Sequence, residues 1–387
     1  MNLIALKRMG WRGLATGSFL ILAFLVSAGA WHSAAQQQKL SEGLTAQEFS
    51  RLIRELSEEG GYFRSDNFTS NETSYLHVID KMHQLVVSGG AYIGVGPEQN
   101  FTYIAKLKPR IAFIVDIRRQ AMIQHLMYKA IFHLSPNRTQ FLSRLLSKPL
   151  PKDLKDNTEA SVNNLVNYFS KVAGDEKIYA ANLDALKKVI QDDFQFPLNE
   201  SDQTSLDYVY KNFRNEGLEI AFRIDGSWGG YFPTLKDLIE QTDQHGKPGN
   251  FLATAEDYEF VRGMHRKNLI IPVVGDFGGK KALAGVGDYL RKSGLTVTAF
   301  YTSNVEQFLF ESGSFKAFVD NVRKLPTNER SLFIRSVSGR YSHPAQLSGH
   351  RLTTLLQQMT VFLKDFDEGR YQNYYNLITT NYIAAEK

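Results

Sequence analysis

Gly89–Gln120 reads GGAYIGVGPEQNFTYIAKLKPRIAFIVDIRRQ, and its pattern decides the fold. Ala91–Val95 is a short apolar strand, and Gly96-Pro97-Glu98-Gln99 is a tight turn. Asn100–Lys108 has the composition of a helix closed by Pro109. Ile111–Ile117 is a second apolar strand carrying Asp116 near its end. Strand, glycine turn, helix and strand within about 30 residues form a βαβ unit. Its crossover requires the two strands to run parallel.

The same rhythm continues toward the C-terminus. A helical stripe through Ile123, Leu126, Met127, Ala130 and Leu134 breaks at Pro136. Leu218–Ile224, Phe251–Thr254, Leu269–Val274, Leu295–Tyr301 and Leu332–Val337 read as further short apolar strands. Helices are expected at Glu256–Arg266, Lys280–Lys292, from Asn304, and at Leu352–Phe366. Apolar strands alternating with helices are what a parallel sheet covered on both faces needs. The expectation is an α/β, doubly wound (Rossmann-like), mostly parallel sheet of about six strands in a single domain over 41–387. Residues of about 147–215 are more polar and helical, and read as an insertion or a lid over the sheet's edge, with a peripheral helical pair of no functional role as the alternative. Upstream, Leu44, Phe49, Leu52, Ile53 and Leu56 share one helix side, with Thr45 and Glu48 spaced as a capping box. A second helix is expected near Ser74–Val87.

Composition narrows the classes. No repeat of 20–50 residues is present, which disfavours a solenoid. The 387 residues contain no cysteine, excluding disulfides, thiolate metal sites and a cysteine nucleophile. Lys7, Arg8 and Arg12 form a basic start, followed by an uncharged run Gly13–Ala30 and small residues at Ala28-Gly-Ala30 and Ser33-Ala-Ala35. This is the three-part pattern of a secretory signal peptide over residues 1–35. The alternative is an uncleaved anchor, the one route by which the chain would meet a membrane. Either way the domain is expected outside the cytoplasm, periplasmic or secreted. Without those three cations the formal charge of +5 falls to +2, which gives no reason to expect a nucleic-acid partner. Four Asn-x-Thr triplets, at Asn67, Asn71, Asn100 and Asn137, match a glycosylation pattern that arises often by chance.

In open α/β sheets ligands bind outside the carboxyl ends of the strands. Gly94 and Gly96 fall at the first such end, and Asp116 lies 20 residues beyond Gly96. That spacing suits a backbone approaching a ligand and an acid accepting ribose hydroxyls. The third glycine of G-x-G-x-x-G is Gln99, however, and Glu98 at the helix start would compete with a pyrophosphate for the same amides. A dinucleotide is therefore disfavoured, whereas a nucleoside-type ligand avoids the clash. A structural tight turn is the competing reading. Arg118 stands beside Asp116, and Asp276 sits in a second glycine cluster, Gly275–Gly279. That cluster lacks the Gly-Lys-Ser/Thr of a P-loop. Asp276 is read as a helix cap that also lines the crevice. Asp225-Gly-Ser-Trp-Gly-Gly-Tyr231 and Tyr341-Ser-His-Pro are loops of pocket-lining character. His125 and His133 are expected on the exposed side of a helix, and the histidine spacings form no metal motif. No Gly-x-Ser-x-Gly elbow is present.

Gly89–Gln120, together with VVGDFGGKKAL (Val273–Leu283) and TVTAFYTSNVEQFLF (Thr296–Phe310), resembles an uncharacterised bacterial protein family. That family has a Rossmann-like fold similar to S-adenosylmethionine-dependent methyltransferases. The resemblance covers roughly residues 45–350. It implies the fold, and S-adenosylmethionine as a ligand by analogy, but transfers no catalytic residue. Two functional readings follow. One is a methyltransferase-like protein holding a nucleoside-type ligand at Gly94, Gly96, Glu98, Asp116, Arg118 and Asp276. The other is a non-enzymatic extracytoplasmic module binding a small polar metabolite in the same crevice. A third needs Asp116, Asp225 and Asp276 to converge on a divalent cation for hydrolysis.

Overall fold

The computed structural model describes residues 42–85, 88–151, 160–224 and 232–385. The signal-like segment 1–35 and the loop Asp225–Tyr231 lie outside the described residues. Among the described residues eight strands occur: β1 (Ser65–Asp66), β2 (Ala91–Gly94), β3 (Ile111–Asp116), β4 (Arg223–Ile224), β5 (Ile270–Val274), β6 (Val297–Ser303), β7 (Leu332–Ser338) and β8 (Leu352–Gln358). Six form one sheet in the spatial order β5-β3-β2-β6-β7-β8. All neighbours pair parallel except β7 and β8. The protein is thus α/β with a mixed, mostly parallel six-stranded sheet.

The reason lies in the apolar runs. Every residue of β2, β3 and β5 is buried, as strands sandwiched between helical layers must be. Helices Gln99–Leu107, Arg119–Leu134 and Ala255–Arg266 pack against one another, whereas Ala282–Lys292 packs with Phe315–Val322 and β3. Phe101 and Phe132, each fully buried, sit in an aromatic cluster with Tyr128, Phe141, Phe251 and Tyr258. Helices Val162–Lys171, Glu176–Lys188 and Glu200–Glu216 stack outside Arg119–Leu134 and Arg138–Leu146. They lie on a helical layer, rather than over the sheet's edge.

Both sheet edges are covered. Helix Ala46–Leu56 begins at the capping box of Thr45 and Glu48 and packs along β5. Just past that helix, Ser57 Oγ accepts the Val274 amide and the Glu58 amide donates to the Val274 carbonyl. At the other edge Ile383 bridges Leu356 of β8.

Four expected elements differ. Leu352–Phe366 divides into β8 and helix Met359–Asp367. Leu352, Leu355, Leu356, Met359, Phe362 and Phe366 do fall at helical spacing. The β-branched pair Thr353-Thr354 and the open side of β7 nevertheless favour a strand there. Ser74 Oγ takes the Thr354 amide and reaches the Leu352 carbonyl. Leu218–Ile224 is not in the main sheet. Gly217 takes φ +59°, a 3-10 turn follows, and only Arg223–Ile224 extends, antiparallel to β1. Phe251–Thr254 is a turn, because Asn250 Oδ1 takes the Leu252 amide and its carbonyl takes the Ala253 amide. The helix expected over Ser74–Val87 is confined, among its described residues, to Ile79–Leu85.

Candidate functional site

Numbered along the chain, the six sheet strands run 3-2-1-4-5-6 in space. The order reverses between β2 and β6, where their onward connections leave for opposite sides. A crevice forms at such a point because nothing crosses it. A cavity of about 740 Å³ lies there, lined by the carboxyl-end residues Gly96, Asp116, Gly275, Asp276, Ser303 and Asn304. Its size suits a small organic molecule.

The turn after β2 is built from behind. Asn100 Nδ2 lies 2.7–3.0 Å from the carbonyl oxygens of Val95, Gly96 and Pro97, and its Oδ1 accepts from Tyr92. Gly94 is the residue that makes room: a Cβ there would stand 1.9 Å from Asn100 Oδ1. Gly94 therefore serves packing and does not line the cavity. Gly96 does line it, with φ +76° and open space where a side chain would project. His125 is buried, not exposed as its spacing suggested, and its Nε2 donates to the Gly96 carbonyl at 2.8 Å. Burial lowers the His125 pKa to about 4. A neutral imidazole thus fixes the turn.

Glu98 also points away from the cavity. Oε1 accepts the Ser70 amide, Oε2 has no partner among the described residues, and burial pushes the pKa up to about 7. The competition with a phosphate that its position suggested is absent, since the side chain leaves the turn's outer face clear.

Asp116 and Arg118 form one buried unit. Asp116 Oδ1 accepts the Arg118 amide and Nε, and Oδ2 accepts Nη2 at 2.9 Å. Arg118 Nη1 donates to the Ser65 carbonyl, tying β1 to the end of β3. Burial alone would raise the Asp116 pKa, but the Arg118 guanidinium holds it below the ordinary value. Both carboxylate oxygens are engaged, so Asp116 retains room for one further hydrogen bond, on Oδ2, rather than the two a ribose diol would use.

Asp276 Oδ1 accepts the Gly278 amide and caps its own loop. Its backbone amide donates to Glu58, whose carboxylate also accepts the amides of Lys281 and Ala282. Glu58 fills the anion position at the start of helix Ala282–Lys292, which is where a phosphate would sit.

Sequence reading missed Glu72. It lines the cavity yet is 1% exposed, and it accepts from Ser303, Ser336 and Gln99. Burial first, then the nearby Glu72, raises the Tyr301 pKa well above the ordinary value. Ser303 adopts φ +53°, unusual for a non-glycine residue, at a register irregularity of β6. The only local signal was Asn71-Glu72-Thr73, read as a glycosylation triplet. Among the described residues no His, Asp or Glu group could hold a metal, and no helix is long and apolar enough to cross a membrane. Asp225 lies outside them.

Fold and site together define an α/β protein with a cavity of about 740 Å³ at the carboxyl edge of a mostly parallel sheet. Residues 67–387 match the model of the family described as "Domain of unknown function (DUF7790)", and the chain belongs to that family. No curated protein matches it in sequence.

Proposed function

We propose that the protein is a Rossmann-like, methyltransferase-like domain that binds a nucleoside-type small molecule in the cavity at the β2/β6 reversal. The observation that carries this reading is the Gly96 turn. Its carbonyls are tied inward by Asn100 and His125, and its outer face opens on the cavity. A ligand can approach that backbone without meeting a side chain. S-adenosylmethionine would meet the open face of the turn, but it would find Asp116 already engaged by Arg118. When bound it would supply an activated methyl group. Glu72 and Ser303 give the cavity a polar floor whose donors and acceptors are pre-oriented.

The second reading is a non-enzymatic module for a small polar metabolite. It is favoured by the export-like pattern of residues 1–35, because S-adenosylmethionine is made in the cytoplasm. Calorimetric titration of the full chain with S-adenosylmethionine, its demethylated product and adenosine tests the first reading. Binding of at least one at micromolar affinity supports it, and absence of binding by all three removes it. Mass spectrometry of material co-purified from the native host would then identify what the second reading requires.

A further inference from the structure

Ser303 closes β6 with φ +53°, and helix Val305–Glu311 begins two residues on. A strained strand-to-helix turn lifts a side chain out of the sheet, and it is the device by which many hydrolases expose a nucleophilic serine. Tyr301 and Val305 occupy the places of the two glycines in the usual motif. The motif is therefore absent from the sequence, while the turn is present in the structure.

The hydroxyl has a carboxylate behind it. Ser303 is part-exposed in the cavity lining, whereas Glu72 beneath it is buried. Glu72 Oε1 accepts the Ser303 hydroxyl, and Oε2 accepts Ser336 Oγ and Gln99 Nε2. Ser336 and Gln99 are themselves buried and lie outside the lining, so they orient the carboxylate without meeting a ligand. Nucleophile, base and orienting groups thus stand in hydrogen-bonded order. Asn304 occupies the helix N-cap yet makes no capping hydrogen bond. Its Oδ1 lies 3.4 Å from Ser303 Oγ, which puts its amide group beside the hydroxyl in the cavity wall. Apolar residues follow on the same helix. Val305 and Phe308 line the cavity, and Phe308 meets Phe63 edge to face at 4.8 Å.

We propose that Ser303 is the nucleophile of a carboxylic-ester hydrolase, with Glu72 as general base and Asn304 as oxyanion donor. An apolar acyl chain packs on Phe63, Val305 and Phe308. Ser303 Oγ attacks the ester carbonyl carbon as its proton passes to Glu72 Oε1. The carbonyl π pair moves onto oxygen, which Asn304 Nδ2 receives. Its return breaks the bond to the alcohol oxygen, and the alcohol leaves with the proton from Glu72. Water then attacks the acyl-serine, giving its proton to Glu72, and the acid departs as Ser303 Oγ takes that proton back. This shares the cavity with the nucleoside reading but does not rest on it, so ester turnover and adenosine titration can fail separately.

The full chain is given the p-nitrophenyl esters of acetate, butyrate and octanoate, and separately a fluorophosphonate. Release of p-nitrophenolate is expected, faster for the longer acyl chains, with a phosphonyl adduct located on Ser303 by peptide mass spectrometry. Ser303→Gly keeps the turn, since glycine takes this φ without strain, and should lose both hydrolysis and adduct at an unchanged melting temperature. Asn304→Ala should lower kcat about a hundredfold with little change in KM. Glu72→Gln keeps an acceptor for Ser303 and should slow labelling about a hundredfold. Hydrolysis of none of the three esters, no adduct on Ser303, or hydrolysis that survives Ser303→Gly each overturns the assignment. Labelling of Glu72→Gln at the wild-type rate removes Glu72 as the base.

Discussion

Two glycine turns follow strands on the same edge of the sheet, and they have opposite fates. Gly94–Gly96 after β2 is stabilised from inside, by Asn100 and His125, and its outer face opens on the cavity. Gly275–Gly279 after β5 is stabilised from outside, by Glu58, which uses the loop and helix amides a ligand would need. Glycines show where a backbone turns sharply. Whether that turn is free for a ligand depends on a side chain supplied from elsewhere, and here it arrives from more than 200 residues away.

The sharpest way to break the comparison is at its tightest points. Gly94→Ala drives a Cβ into Asn100 Oδ1 and the Tyr92 ring, and Gly275→Ala drives one to 2.2 Å from Ala282 Cβ. Each variant is expected to lose about 3 kcal/mol or more of stability by urea denaturation. A loss below about 1 kcal/mol at both would mean that the turns relax freely.

The next effect distinguishes the turns by pH. Glu98 has a folded pKa of about 7 against an ordinary 4.5, so the folded state holds its proton longer. Its penalty is absent below about pH 4.5, grows as pH rises, and is constant above about 7. Glu98→Gln keeps an acceptor for the Ser70 amide and should gain on the order of 2 kcal/mol at pH 8, with almost none at pH 4. A stability gain that does not vary between those pH values would contradict the assignment.

At the second turn, Glu58→Gln replaces a carboxylate that accepts three amides at a helix start. It should cost about 1–2 kcal/mol, mostly relieved in high salt. Equal stability of variant and wild type at low salt would show that Glu58 is dispensable there. The smallest effect is expected of Gly96→Ala, about 1 kcal/mol for an alanine at φ +76° with open space around it. Its larger consequence should be a drop of at least tenfold in adenosine affinity, read by calorimetry. Unchanged affinity would move the ligand away from this turn.

The architecture was legible where local pattern and burial agree. Ala91–Gly94 and Ile111–Val115 are apolar throughout because both faces are covered, and no other element type suits runs so short. β8 was illegible because its leucines satisfy a helical period as well as a strand; pairing with β7 decided between them. Position at the sheet edge could be read for Asp116 and Asp276, since strand ends are local features. What those carboxylates touch could not. Arg118 occupies most of Asp116, and Glu72 joins the floor through partners on β6, β7 and helix Gln99–Leu107. Such contacts depend on the folded sheet, and His125 was misplaced for the same reason: its side of helix Arg119–Leu134 faces the Gly96 turn and Phe101.

The helix along β5 has a bearing on how the chain can be divided. The family match starts at residue 67, beyond Ala46–Leu56 and Glu58. A fragment cut at that point would keep all six strands of the main sheet but lose β1 and bare the outer backbone of β5, including the Val274 groups now satisfied by Ser57 and Glu58. An uncovered strand edge is a template for another copy. Such a fragment would be expected to self-associate through β5, so the region shared with the family is a unit of ancestry without being a unit of solubility.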